Sequence, residues 1–249
     1  MRLTSEVHLV GGGTLSGFGV SSDFDAHCYL LDGGDEQVLI ECGMGTETGF
    51  QRVTGNIRRA GYDPAAITRL FLTHYHTDHA GGASVYRDRL GLAVATGTAT
   101  GQALEAGDHE ATSFCRAQAA GIFPEGYSYE PCPVGDLLTD GAQRSVGRLT
   151  LTYLDTPGHC GGHGSFLVEG GEQTYLFAGD AIFAWGKLHL QAIPDCDLQA
   201  SLATVLALAE LEFDALLPGH GAIALHDGRA HIGMAKDAID QLAVPPRLV

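Results

Sequence analysis

His74-Tyr75-His76-Thr77-Asp78-His79 packs three imidazoles and a carboxylate into six residues, directly after the apolar run Ile67–Thr73. On extended backbone, side chains two positions apart point the same way, so His74, His76 and Asp78 can converge at that strand's end. His79 then comes from the following turn or helix start and reaches a position beside them. This set of nitrogen and oxygen donors suits zinc, whose ligands lie at about 2.0–2.2 Å. A merely solvated, His-rich loop would not explain donors at alternating positions straight after a buried strand. Three more candidates follow apolar runs: His159 in Thr156-Pro157-Gly158-His159, Asp180 in Ala178-Gly179-Asp180, and His220 in Pro218-Gly219-His220-Gly221. Singly, each reads as a turn residue. Together they put donors at one sheet edge, where α/β folds keep their sites, with Gly and Pro shaping tight turns.

The elements that must position these donors are short and often β-branched. Strands are predicted over Glu6–Val10, Ala26–Asp32, Gln37–Cys42, Leu92–Thr96, Leu149–Leu154, Ser165–Val168, Tyr175–Ala178 and Ala215–Leu217, besides Ile67–Thr73. A turn at Gly33-Gly34-Asp35 joins the second strand to the third. Helical spacing covers Phe50–Ala60, Ser84–Leu90, Leu198–Leu211 (after the N-cap candidate Asp197) and Ile232–Leu242. Ala99–Ala120 reads as a helix broken at Gly107, and Phe123–Pro133 as a loop. Strands alternating with helices, and no long linker, predict one layered α/β domain over residues 1–249.

Composition narrows the partners. A net charge of −16 would be repelled by a nucleic-acid backbone or an anionic membrane, so neither is expected as a partner. Twelve histidines are a surplus, and histidine is the commonest metal ligand. Six cysteines without a CxxC pair read as reduced thiols. Glu6 and His8 interrupt any signal-like apolar core, and no apolar run is of membrane-spanning length, so a cytoplasmic location is expected. The expected partner is a small-molecule substrate, with a homodimer also compatible.

The motifs HxHxDH, TPGH, GD and PGHG, in this order, resemble the metallo-β-lactamase superfamily over most of the chain. That resemblance implies an αββα sandwich of two β-sheets flanked by helices, with metal at one edge. By position it implies that His74, His76 and His159 hold one ion, that Asp78, His79 and His220 hold a second, and that Asp180 bridges them. The expected cofactor is two zinc ions, with iron or manganese as substitutes. Asp180 stands where true β-lactamases often have cysteine, which points towards relatives resembling glyoxalase II, lactonases and phosphodiesterases. Thr156–Ser165, with its second histidine His163, is similar to the glyoxalase II pattern. Only 29 residues follow His220, however, so the helical C-terminal domain of glyoxalase II itself is not expected.

The reaction expected is hydrolysis of a thioester, lactone or related ester by water activated between two metal ions, with Asp78 orienting the nucleophile and taking up its proton. The alternatives are a single-iron oxidoreductase resembling persulfide dioxygenases, built on His74, His159 and Asp180, a true β-lactamase or phosphodiesterase, and a binding protein without turnover. Metal content and oxygen uptake separate the first of these from hydrolysis. Phe183, Trp185, Lys187 and His189 follow Asp180 and are candidates to line the mouth of the site, Trp185 and Lys187 as substrate contacts, and the resemblance implies that a mobile loop over Gly11–Gly19 covers it with Phe18 at its tip. That loop has no Walker lysine and no GxGxxG spacing, so it is not expected to bind phosphate.

Overall fold

Alternation of buried and half-exposed side chains along Leu149–Asp155 shows how the sequence builds its sheets: Leu149, Leu151 and Tyr153 point inward while Thr150 and Thr152 are partly exposed. The computed structural model describes residues 1–248. Its strands are β1 (Val7–Gly11), β2 (Cys28–Asp32), β3 (Gln37–Ile40), β4 (Arg69–Leu72), β5 (Ala93–Gly97), β6 (Asp136–Leu138), β7 (Gln143–Val146), β8 (Leu149–Asp155), β9 (Gly164–Glu169), β10 (Tyr175–Gly179) and β11 (Ala215–Pro218). The helices are α1 (Glu47–Arg59), α2 (Thr77–Ala80), α3 (Ala83–Leu90), α4 (Thr98–Ala106), α5 (Phe114–Ala119), α6 (Leu198–Leu208) and α7 (Gly228–Asp240).

One sheet runs β1-β2-β3-β4-β5-β6 and the other β11-β10-β9-β8-β7. The first is antiparallel from β1 to β3 and parallel from β3 to β6. The second is antiparallel except for the parallel pair β10–β11. The inner faces share a core that includes Tyr29, Phe71, Tyr153, Phe166 and Phe177. A second core joins the outer face of the first sheet to Val53 and Ile57 of α1, Tyr86 of α3 and Leu104 of α4. A third joins the other sheet to Val205 and Leu208 of α6 and Ile232 of α7. The layers are therefore α, β, β, α, as the resemblance implies.

Two elements were not expected. β6 and β7 are only three and four residues long, are flanked by Gly135, Gly141 and Gly147, and edge their sheets, so neither shows a buried period. The break in the region after residue 98 falls where expected: α4 ends on Gly107, whose φ is +60°. The strands β4, β8, β10 and β11 all deliver their C-terminal ends to one edge, which carries His74, His159, Asp180 and His220. His76 precedes the short helix α2, within which Asp78 and His79 lie.

Candidate metal centre

At this edge two sets of donors face each other. The ligand atoms of His74, His76 and His159 lie within 4.8 Å of one another, and so do those of Asp78, His79 and His220. Nδ1 of His76 is 2.9 Å from Nε2 of His159, and Nε2 of His79 is 3.2 Å from Nε2 of His220. Asp180 stands between the sets: Oδ1 is 3.3 Å from Nε2 of His79, and Oδ2 is 3.5 Å from Nε2 of both His159 and His220. Asp78 Oδ2 is 3.1 Å from Nε2 of His220.

The hydrogen bonds around the ring fix which nitrogen is free. Thr73 Oγ1 donates to Glu41, so it accepts from Nδ1–H of His74 at 2.9 Å and leaves Nε2 bare. His76 donates from Nε2 to Asp195 Oδ2 at 3.2 Å, and His159 donates from Nδ1 to the carbonyl of His189 at 3.1 Å. Ser16 Oγ donates to the Asp25 carbonyl and accepts from Nδ1–H of His220 at 2.9 Å. For His74, His76, His159 and His220 the outer nitrogen is thus committed to a partner, an arrangement that outer partners impose on metal-binding histidines.

These residues fit a metal. Nε2 of His74 and Oδ1 of Asp180 are buried without any hydrogen-bond partner. Two imidazole lone pairs 2.9 Å apart repel unless a cation lies near both, and a tetrahedral ion with ligands at about 2.0–2.2 Å sets its donors roughly 3.3–3.6 Å apart. Burial, reinforced by neighbouring imidazoles, holds His74 well below the usual histidine range; burial does the same for His159 against the opposing charge of Asp180. Burial pushes the carboxyl of Asp180 up, but His220, His79 and His159 outweigh it and hold it well below the carboxylate range.

Several contributors lie outside the set of expected donors. Glu41, buried at the end of β3 with φ +66°, sits 3.3 Å from Nδ1 of His79. Asp195 takes hydrogen bonds from His76, Tyr75 and Ser113. His163 accepts the backbone N–H of Asp180 at Nε2 and binds Thr156 through Nδ1; burial lowers it to about 3, which keeps it a neutral acceptor. A Cβ on Gly219 would come within 2.4 Å of both Asp180 Oδ1 and His79 Cε1, so only glycine allows that turn to approach.

The substrate contacts need correcting. A cavity of about 810 Å³ opens on His76, Asp78, His189 and His220, but Phe18, Trp185 and Lys187 are not among the residues lining it. Phe18 packs edge-on against His27 instead, while Lys187 lies over the exposed ring of Trp185. From the glycine-rich loop it is Leu15 that reaches the cavity. The loop is also tied down at its centre, because Ser16 is buried against Asp25, His27 and His220.

A family model described as the metallo-beta-lactamase superfamily matches residues 22–220. Among curated relatives, the chain is 26% identical over 195 residues to an atrochrysone carboxyl ACP thioesterase of Aspergillus fumigatus, covering 78% of this chain and 50% of that protein. It is likewise 26% identical to the thioesterase pkgB of Emericella nidulans, over 80% of this chain and 46% of that one. The chain thus spans about half the length of these curated relatives. A solved metallo-beta-lactamase with a HARLDQ motif from Cronobacter sakazakii shares the fold, with a TM-score of 0.73 at 19% identity over 97% of this chain and 96% of that one. With the layered fold, the converging donors and a family match over most of its length, the chain belongs to the metallo-beta-lactamase superfamily.

Proposed function

We propose that this protein is a two-metal hydrolase of esters or thioesters. The observation that carries the reading is the pair of donor sets on either side of Asp180, whose Oδ1, like Nε2 of His74, is buried without a hydrogen-bond partner. His74, His76 and His159 would hold one ion, Asp78, His79 and His220 the other, and Asp180 would face both. Zinc suits the nitrogen-rich set. Bound there, two such ions supply water whose pKa is lowered from about 16 to about 7 and polarise a substrate carbonyl.

The chain's own residues do the rest. Asp78 is partly exposed to the cavity while its neighbours His79 and Asp180 are buried, so its carboxylate is the acceptor best placed for a proton from attacking water. His189 lines the same wall, with Nδ1 3.5 Å from Asp180 Oδ2. The thioesterase names of the curated relatives support a carbonyl substrate. The set Asp78, His79 and His220 favours two ions over the single iron of a dioxygenase, which would leave these three and His76 without a role.

The test is metal analysis followed by thioester, lactone, β-lactam and phosphodiester substrates on one preparation. About two zinc ions per chain with thioester or ester turnover is the expected result. One iron with oxygen consumption, or a β-lactam as the best substrate, would overturn it.

A further inference from the structure

The cavity beside the donors is much larger than an acetyl group requires. At about 810 Å³ it lies in the range of pockets that enclose drug-sized ligands, roughly 300–1,000 Å³. His76, Asp78 and His220 form one end of it. Much of the rest is an apolar wall contributed by Phe114 of α5, Ile122 and Phe123 just beyond, Phe24 from the β1–β2 connection, and Leu190 and Ile193, while among the described residues the only side chains of fixed charge besides Asp78 are the cations Arg116 and Arg247.

Three of these wall residues are aromatic and touch one another. Phe114 stacks on Phe123 with ring centroids 5.9 Å apart, and Phe24 meets Phe123 edge-on at 6.4 Å. The wall is also fixed relative to the donors. Ser113, the residue before α5, donates to Asp195 at 2.6 Å, and Asp195 in turn accepts from His76. Leu15 and Ile122 of the same lining are 71% and 51% exposed although apolar, so the cavity presents an exposed apolar surface rather than one stray side chain. Among the described residues Asp78 is the only carboxylate in the lining, and it belongs to the donor set, so a cationic group would find no partner along the wall.

We infer that this cavity is an acyl pocket and that the substrates are esters or thioesters of bulky, apolar, non-cationic acids, aromatic or long-chain. The inference rests on the hydrolase reading above. With the carbonyl at the donors, the acyl group extends along Phe114 and Phe123. Apolar contacts of this kind discriminate by about 10–200-fold per group recognised.

The test compares the acetyl, decanoyl, 2-naphthoyl and 6-aminohexanoyl thioesters of one small thiol on the zinc-loaded protein, and measures 2-naphthoate binding separately by its fluorescence. Decanoyl and naphthoyl thioesters should exceed acetyl in kcat/KM by at least about tenfold, with aminohexanoyl no better than acetyl. Phe123→Ala, and Ile122→Ser at an exposed site that does not risk folding, should reduce that preference and weaken naphthoate binding. Equal turnover of all four, with variants that change them by one common factor, would overturn the acyl pocket while leaving the hydrolase reading intact. Absence of any turnover would instead overturn that reading; naphthoate binding lost in Phe123→Ala would then still support the pocket, and no naphthoate binding would overturn it.

Discussion

Nδ1 of His76 and Nε2 of His159 stand 2.9 Å apart, and with both rings neutral neither carries a hydrogen, because each ring donates from its other nitrogen to Asp195 or to the carbonyl of His189. In the absence of a cation this contact is repulsive, so metal and folding should be strongly coupled. A metal present at 1,000 times its dissociation constant stabilises a fold by about 4 kcal/mol, which is roughly 10 °C in Tm for a chain of this size. Calorimetry before and after chelator dialysis checks this, and superimposable transitions would count against a metal in this position.

Ser16 holds His220 by accepting from Nδ1–H. Ser16→Ala should leave that ring free to turn and weaken the ion beside Asp78, His79 and His220 by about 10–100-fold. Stepwise chelator titration should then show one ion lost early, with the ion at His74, His76 and His159 held as before. Simultaneous loss of both ions would argue against separate sets.

Asp180 faces both donor sets, and Asp180→Asn keeps its volume while removing its charge. Turnover should fall to the background rate with the far-ultraviolet circular dichroism unchanged, and His76→Ala should behave likewise. Full activity in either variant would remove the assignment.

Gly219→Ala tests the close approach at the other side of the site. The new Cβ would collide with Asp180 Oδ1 and His79 Cε1, so zinc content should fall from two towards one per chain. Gly161→Ala, where a Cβ meets nothing within 4 Å, should keep full content and serves as the control.

Far from the donors, Glu6 joins the two sheets by accepting from Arg148, Tyr175 and the backbone N–H of Glu172. Burial alone would raise its carboxyl, but these partners outweigh burial and hold it below the usual range. A lowered folded pKa means the stabilisation is complete above the unfolded value of about 4.3 and is lost as pH falls through the folded value. Glu6→Gln should therefore cost about 1–3 kcal/mol at pH 7 and flatten the loss of stability between about pH 5 and pH 3. Urea unfolding across that interval reads both effects.

Much of the site was legible because its donors follow strands. An apolar run that ends in a polar residue and a tight turn places that residue at a sheet edge, and this holds for His74, Asp180 and His220. Glu41 carried the same signal at the end of Gln37–Cys42 and was still missed, because one acid after a strand is ordinary. Asp195 carried none: it meets His76 across 119 positions, and no local period encodes such a pairing. Trp185 and Lys187 are expected at the mouth by proximity to Asp180 along the chain and Phe18 by the resemblance, whereas the cavity wall combines the poorly periodic stretch after Gly107 with Phe24, Leu190 and Ile193.

By itself, then, the sequence determined the layered architecture and the identity of the inward-facing donors, since backbone periodicity dictates which side chains share a face and where each strand stops. Tertiary structure alone decided how most of those donors are oriented, through Ser16, Asp195 and His163, and what surrounds them. A ring nitrogen is committed by a partner brought in from elsewhere in the fold, and an aromatic wall forms only when distant segments pack together.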